Sequence, residues 1–186
     1  MRKRICKKKK NPKRIILAIC EGETEAAYLD LLKQHYRLPI EIKYKITGNK
    51  INKRLVNKYV EELGLQRLED CLLFYIYDMD VINIISVLNN LEGQAILSNP
   101  CLELWFLLHS TSYNRNVSSE EVLTTLKKSS EIWKNYKKGK FSSEQRKHLI
   151  ANLNTAVSNA KRLTDFENPS SNMHILIDAL EKEINR

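Results

Sequence analysis

Two uninterrupted apolar runs, each ending in an acidic residue, constrain the fold of this chain more than any other feature. The run at residues 72–77 is followed directly by Asp78, Met79 and Asp80. Six apolar residues without a polar interruption predict a strand that is buried on both faces of a parallel sheet. Open α/β sheets bind their ligands at the carboxyl ends of such strands, so both aspartates stand where a ligand site is expected. A solvated turn in which an aspartate caps the next helix is the alternative, and this pair alone does not exclude it.

The second apolar run, residues 15–20, also stops at a carboxylate, Glu21, and a glycine then allows the chain to turn into a helix. In a parallel sheet both strand ends open on the same edge, so Glu21, Asp78 and Asp80 are expected to converge although they are far apart in sequence. Magnesium and manganese ions take oxygen ligands and usually keep several waters that a substrate can displace. The sequence therefore predicts an Mg²⁺ or Mn²⁺ site formed by these three carboxylates.

The order of these motifs resembles that of the Toprim domain, in which a strand leads into Glu-Gly and a helix, and a later strand leads into Asp-x-Asp. Topoisomerases, bacterial primases, OLD-family nucleases and small maturation nucleases share that domain. Within this group the chain resembles the RloB family over nearly its whole length from about Arg14. The family more often has arginine and phenylalanine where this chain has Met79 and Leu102, which leaves the carboxylates intact. The matching segments are residues 20–25, 77–80, 97–105, 107–109 and, more loosely, 168–170.

The resemblance implies an α/β fold: a Toprim-like parallel sheet of about four strands, flanked by helices, with appended C-terminal helices. It also implies metal-dependent hydrolysis of phosphodiester bonds and a role in bacterial anti-phage defence. In that chemistry Asp78 and Asp80 would hold Mg²⁺, while Glu21 would hold a second ion or act as the general base toward the attacking water.

A turn at Ser98, Asn99 and Pro100 is predicted to lead into a helix over residues 101–109. Backbone amides at the start of that helix, together with Ser98 and Asn99, are expected to hold a phosphate. Glu103 falls in the first helical turn and matches the family motif, so we predict it as a fourth acid at the metal edge. A surface glutamate favoured by the helix dipole is the alternative.

Four further side chains are candidates for nucleic-acid binding. Lys50 and Arg54 flank the start of a helix predicted over residues 53–63, where they suit phosphate contacts or simply form a solvated helix face. Tyr136 and Lys138 belong to a stretch that interleaves aromatic and basic residues, and they resemble a Tyr-x-Lys element of the family. Such a stretch suits base stacking and phosphate binding, or else it is a loop that covers the sheet with its rings turned inward.

The rest of the chain alternates between helical and strand patterns. Glu23 and Glu25 are expected in the first turn of a helix, where the dipole favours acids. Residues 40–46 alternate apolar and polar side chains, which predicts a strand near the edge with its lysines in water, and a short fourth strand is expected at residues 94–97. Apolar side chains at helical spacing predict helices at about residues 24–35, 53–63, 81–91, 118–128, 142–163 and 172–184.

The basic excess is confined to the amino terminus. The chain has 31 lysines and arginines against 22 acidic residues, and nine of the basic residues lie within residues 2–14, where no acid occurs. Residues 1–13 are therefore predicted to be a flexible basic tail, which suits sequence-independent binding to phosphate backbones or serves only as a solubilising terminus. The remainder of the chain carries no net positive charge.

Length and composition favour a single domain of 186 residues. We divide it into a core over residues 14–110 and a helical extension over 111–186 that packs on the core. No apolar run is long enough to span a bilayer, and the basic start lacks the apolar segment of a secretory signal. The four cysteines show no paired metal spacing, and three of them lie in apolar runs, so we expect reduced core thiols and a cytoplasmic protein.

Taken together, the residues and the resemblance predict a Mg²⁺- or Mn²⁺-dependent endonuclease that acts on DNA or RNA. The alternatives are a nucleic-acid-binding or regulatory subunit with a structural Mg²⁺ and no activity of its own, and a nucleotide- or signal-sensing module built on the same site. A partner protein from a defence system is expected for some of these roles. The apolar stripes of the C-terminal helices leave room for a homodimer surface.

Overall fold

The computed structural model of the chain describes residues 14–46, 50–79 and 83–186. The strands in these ranges form a five-stranded sheet in which four strands are parallel and a two-residue edge strand is antiparallel. The predicted α/β class with a mostly parallel sheet is confirmed, and the direction of the four long strands is consistent with a Toprim-like fold. In sheet order the strands are β2 (Ile40–Lys43), β1 (Ile15–Cys20), β3 (Cys71–Asp78), β4 (Gln94–Asn99) and β5 (Ser170–Ser171).

Helices cover both faces of this sheet. The prediction of one long helix after Ser142 is wrong, because two helices meet at Asn152. There the Asn152 side chain donates to the carbonyl oxygen of His148 at 2.9 Å, and its backbone leaves the helical region (φ −108°, ψ 17°). The apolar stripe continues across the break: Leu149, Leu153, Ala156 and Ala160 are buried and Leu163 is partly buried. The helices are α1 (Glu23–Tyr36), α2 (Lys53–Glu62), α3 (Ile84–Leu88), α4 (Glu103–Leu108), α5 (Ser119–Ser129), α6 (Ser143–Ala151), α7 (Leu153–Ala160) and α8 (Met173–Ile184).

Alternate side chains of each central strand enter two separate cores, as the pleat of a strand requires. On one face Ile16, Ala18 and Ile76 pack with α1 and with the helices from α4 to α8. On the other face Leu17 and Tyr75 pack with α2 and α3. The first core is continuous from the early strands to the last helix. The predicted division between a core and a helical extension near residue 110 stays a prediction.

The buried cysteines are confirmed at Cys20, Cys71 and Cys101, all of which are free thiols. The edge position of β2 is confirmed, but the strand ends at Lys43 and is shorter than the alternating pattern suggested. The basic tail, residues 1–13, lies outside the described residues. In the part of the chain that the structure describes, no helix has the length and apolar character needed to cross a membrane.

The start of the described chain is tied to its end. The guanidinium of Arg14 donates from Nε to Glu183 Oε1 at 3.0 Å, and Arg186 lies 3.5 Å from the same oxygen. Because the Glu183 side chain is buried on α8, this contact fixes the entrance of β1 against the last helix. Arg14, the last of the nine basic residues near the amino terminus, therefore belongs to the fold.

Candidate functional site

The carboxyl edge of the parallel sheet brings together acidic residues from separate parts of the chain. In the strand register Cys20 lies beside Ile76 and Asp78 lies beside Ser98. Glu21, one residue past the end of β1, is therefore close to the end of β3, which is Asp78. This is the convergence of Glu21 and Asp78 that the two apolar runs predict. Asp80 lies outside the described residues, so its predicted place in the site stays a prediction.

Asp78 is held by the backbone that enters α4. The amide of Leu102 donates to Asp78 Oδ1 at 2.8 Å, and the amide of Met79 donates to the carbonyl oxygen of Ser98 at 2.9 Å. These two bonds attach the end of β3 to β4 and to the segment between β4 and α4. The carboxylate is half-buried and has a fixed orientation at the sheet edge.

Glu103 is a buried carboxylate in the first turn of α4, only 1% exposed. The hydroxyl of Tyr136 donates to Glu103 Oε1 at 3.1 Å, and Lys138 Nζ lies 3.6 Å from the same oxygen. A surface glutamate favoured only by the helix dipole would be solvated, so that alternative is wrong. The carboxylate has two partners and lies beside the other acids, although metal ligation by Glu103 stays a prediction.

Glu25 is an acidic residue of this site that the sequence placed only in a helical turn. Its side chain is 7% exposed. Burial raises the pKa of the Glu25 carboxyl group, and the negative charges of Glu103 and Glu21 raise it further, while Lys138 lowers it. These effects show that Glu25 lies within electrostatic range of both neighbouring acids. The sequence carried a signal for it, because Glu25 is in phase with the buried side chains of Tyr28 and Leu32 on the inner stripe of α1.

A glycine makes room for the Glu25 carboxylate. Gly22 occupies the N-cap position of α1 with extended backbone (φ −125°, ψ 179°), so its conformation is open to other residues. A Cβ atom at this position would stand 2.7 Å from Glu25 Oε2. The Glu-Gly motif therefore provides space for a neighbouring acid as well as a turn.

Lys138 is a cation beside these acids, with its Nζ 3.6 Å from Glu103 Oε1. Burial lowers the pKa of its ammonium group, but the carboxylates of Glu103, Asp78 and Glu25 raise it, and the net shift is upward. The same carboxylates act on the thiol of Cys101. Burial is the main cause that raises its pKa to about 12, and the negative charges of Glu103 and Asp78 raise it further. The segment that carries Lys138 is attached to α1, because the amide of Gly139 donates to Thr24 Oγ1 at 3.1 Å.

Tyr136 supports the site from within the core. Its ring is 3% exposed and lies against Phe106, Trp133 and Phe141. Burial raises the pKa of the Tyr136 hydroxyl, and the charge of Glu103 raises it further, so the hydroxyl remains a donor to that carboxylate. The inward orientation of these rings is the alternative that the sequence left open for this stretch.

The other predicted nucleic-acid contacts lie elsewhere or have internal partners. The Ser98 hydroxyl is buried 2.9 Å from the hydroxyl of Ser171 on β5, and the Asn99 amide donates to the carbonyl oxygen of Phe166 at 3.1 Å. Lys50 and Arg54 line a shallow concavity on α2. The helix α2 packs on the opposite face of the sheet from α1 and α4, and Lys50 and Arg54 lie near its start.

The donor chemistry of the cluster suits a hard cation. Glu21, Glu25, Asp78 and Glu103 offer only carboxylate oxygens, and these are the ligands that Mg²⁺ and Mn²⁺ prefer. Across residues 14–46, 50–79 and 83–186, however, no three Asp, Glu, His or Cys side chains are already arranged to hold a metal ion. The described carboxylates therefore provide suitable donors but not a complete, preassembled set of ligands.

A comparison with protein families matches this chain to the family described as RloB-like protein over residues 16–180. That range includes all the described acids of the cluster and both Tyr136 and Lys138. Neither the comparison with curated proteins nor the comparison with solved structures gave a match.

Proposed function

We propose that this chain, which belongs to the RloB-like family, is a Mg²⁺- or Mn²⁺-dependent nuclease that hydrolyses phosphodiester bonds and acts in bacterial defence against phage. One observation carries the proposal: Asp78 at the end of β3 and the buried Glu103 of α4 lie at the carboxyl edge of the sheet, with Lys138 Nζ 3.6 Å from Glu103 Oε1. Titratable groups gathered in this way shift each other's pKa values, and such clusters are found preferentially at functional sites.

We assign metal binding to Glu21, Asp78 and Asp80, with Glu103 as a further acid beside them. A bound Mg²⁺ would offset the charge of the phosphate and lower the pKa of a coordinated water. Glu21 follows the end of β1 and precedes the helix α1. We assign its carboxylate to accept a proton from the attacking water. Asp78 is oriented by the Leu102 amide, which donates to its Oδ1.

Lys138 is the residue that we assign to the phosphate. Its side chain is largely exposed while its partner Glu103 is buried, so the ammonium group stands between the acids and solvent. A negatively charged strand that approaches the cluster meets this cation first. Lys50 and Arg54, near the start of α2, are then further contacts to the backbone of a long nucleic acid. Contacts by Ser98, Asn99 and Tyr136 stay predictions, as do a defence-system partner and a homodimer.

The test is divalent-dependent cleavage of a panel of single- and double-stranded DNA and RNA, with Mg²⁺, with Mn²⁺ and with chelator. Asp78→Asn should abolish cleavage. Its matched control is Asp70→Asn, which removes the same charge directly before β3, at the opposite end of the same strand. Because a ligand that binds only the folded state stabilises it, Mg²⁺ should raise the melting temperature of the wild type and of Asp70→Asn but not of Asp78→Asn.

The same experiment distinguishes the alternative functions. A subunit with a structural Mg²⁺ would show the metal-dependent rise in melting temperature and would bind nucleic acid without cleaving it. The nuclease proposal fails if no member of the panel is cleaved, or if Asp78→Asn cleaves as the wild type does.

A further inference from the structure

A concavity of about 360 Å³ lies beside the acidic cluster, between α1, the end of β2 and the segment that carries Lys138. This volume is at the small end of the range of about 300–1,000 Å³ that is typical of ligand pockets in proteins. It can therefore admit one compact ring system but not a large ligand. Its walls include Tyr44, Gly139, the methyl groups of Ala26 and Ala27, and the carboxylates of Glu23 and Asp30.

Tyr44 provides an aromatic surface in this concavity. The pattern of alternation in residues 40–46 places Tyr44 on the apolar side of a strand, yet its side chain is 47% exposed. The strand has ended at Lys43, and Lys45 adopts a left-handed backbone (φ +63°) that an L residue rarely takes. This turn carries the chain back to β1, where the amide of Ile46 donates to the carbonyl oxygen of Cys20 at 3.4 Å. The exposed ring thereby lies at the edge of the sheet where Glu21 lies, and Lys45 Nζ stands over one of its faces, 5.5 Å from the ring centroid.

The charged side chains that line the concavity, Glu23 and Asp30, are hydrogen-bond acceptors. Lys45 Nζ lies 3.0 Å from Glu23 Oε1, and Gln34 Nε2 donates to Asp30 Oδ2 at 2.6 Å. These contacts hold both carboxylates in place on the rim. Two carboxylates disfavour a phosphate and favour an uncharged group that offers N–H donors. A nucleobase with an exocyclic amino group combines those donors with a flat face for stacking.

The concavity and the acidic cluster share their boundary. Glu23 is two residues from Glu21, and Gly139, which contributes a wall, follows Lys138 directly. The Gly139 amide is bonded to Thr24, so this wall is fixed to the first turn of α1. A nucleotide whose phosphate lies at Lys138 therefore has its base within reach of Tyr44.

We propose that this concavity binds one unpaired nucleobase of the strand being cleaved, stacked on Tyr44, with its amino edge toward Glu23 and Asp30. This assignment rests on the proposed nuclease function and adds a preference to it. Adenine, cytosine and guanine offer an exocyclic amino group, whereas thymine and uracil do not. The protein should therefore prefer single-stranded segments that contain amino-bearing bases.

The test measures binding rather than cleavage, by fluorescence anisotropy with labelled single-stranded eight-mers and Ca²⁺ in place of Mg²⁺. The probes are oligo-dC, oligo-dT, an oligo-dC with one abasic position placed in turn along the strand, and free dCMP. Base–aromatic stacking corresponds to a loss of at least about fivefold in affinity when the ring is removed. Tyr44→Ala should therefore weaken oligo-dC binding by that factor or more, and Tyr44→Phe, which keeps a stacking ring, should not.

Two further variants separate the concavity from a general surface effect. Ala26→Leu fills the floor of the concavity and should weaken oligo-dC binding while it leaves the weaker oligo-dT binding nearly unchanged. Phe166→Ala is the matched control, because Phe166 is also a half-exposed aromatic side chain (51%) but lies in the loop before β5. It should bind every probe as the wild type does.

The assignment is overturned if Tyr44→Ala and Ala26→Leu bind oligo-dC as tightly as the wild type, or if oligo-dT binds as well as oligo-dC. It is also overturned if free dCMP binds as tightly as the eight-mer, since the concavity would then serve a mononucleotide. These outcomes are distinct from a failure of the nuclease proposal. Binding that depends on Tyr44 without any cleavage refutes only the hydrolase, and cleavage with Tyr44-independent binding refutes only the base site.

Discussion

Replacing Gly22 by alanine tests whether the position of Glu25 matters for activity. The backbone at Gly22 is extended and accepts an L residue, so the only serious contact of the new Cβ is with the carboxylate of Glu25. That oxygen would have to retreat from 2.7 Å to the 3.4 Å at which ordinary contact begins, a displacement of about 0.7 Å. Because a carboxylate is the far end of a flexible side chain, it can move without disturbing the core.

The expected effects on stability and on activity differ in size. Moving Glu25 away from its preferred rotamer costs about 0.5–1.5 kcal/mol, and a poorer N-cap adds a few tenths to about 1 kcal/mol. Alanine also restricts the backbone of the unfolded chain more than glycine does, which stabilises the folded state by about 0.4–1 kcal/mol. The net loss of stability should therefore be about 1 kcal/mol. A misplacement of about 1 Å in a catalytic arrangement can reduce the rate about 100-fold, so a shift of this size should reduce cleavage roughly 10- to 100-fold.

Gly64 provides the matched control. It has a left-handed backbone (φ +71°), and a Cβ atom there would meet nothing within 4 Å. Gly64→Ala should therefore lose about 1 kcal/mol through backbone strain and keep full cleavage activity. Urea unfolding and single-turnover cleavage would be measured on both variants. A Gly22→Ala protein that cleaves at the wild-type rate, or two variants whose activities fall in proportion to their stabilities, would refute the reasoning.

Two further predictions concern the buried acid and the basic tail. Because burial and the neighbouring acids raise the pKa of Glu25 above its unfolded value, its carboxylate destabilises the metal-free fold as pH rises above the unfolded pKa of about 4.3. Glu25→Gln should therefore raise the free energy of unfolding at neutral pH, and this gain should vanish as pH falls toward 4; urea titrations that give an equal gain at both pH values would contradict it. Deleting residues 1–13 removes eight basic residues and should weaken nucleic-acid binding about equally for all sequences and flatten its salt dependence, with melting temperature unchanged. A salt slope equal to that of the full chain would show that the tail does not bind phosphates.

The parts of the fold that the sequence predicted are those with a long, regular pattern. Unbroken apolar runs identified β1 and β3, and their parallel pairing was enough to bring Glu21 and Asp78 to one edge. The strand β5 has only two residues, Ser170 and Ser171, and is too short to produce a periodic pattern. The break at Asn152 depends on a side chain that bonds the backbone locally, and the apolar stripe passes through it unchanged. The periodicity of the apolar residues is the same in a continuous helix and in two helices with such a break, so it cannot distinguish them.

The candidate site was predictable where it depends on strand ends and less so where it depends on tertiary packing. Ser98 and Asn99 have the composition of a phosphate-binding turn, but their polar atoms bond Ser171 and Phe166, residues more than sixty positions away. Glu25 shows the opposite case. Its helical phase marked it as an inward side chain, yet an acid in a helix's first turn has a simpler explanation from the dipole alone. Only the burial of its carboxylate beside two other acids distinguishes the two explanations.

The C-terminal segment completes the candidate site. Glu103 lies on α4 and is buried, and both of its partners, Tyr136 and Lys138, come from beyond residue 110. A buried carboxylate without hydrogen bonds or a nearby cation is costly, so this acid could not keep its position in the core if the later segment were absent. Tyr136 in turn is fixed by an aromatic cluster that includes Phe106 of α4 and Trp133. The same packing that stabilises the helices on the sheet therefore also sets the distance between Lys138 and the acids, which is the distance that the proposed phosphate contact requires.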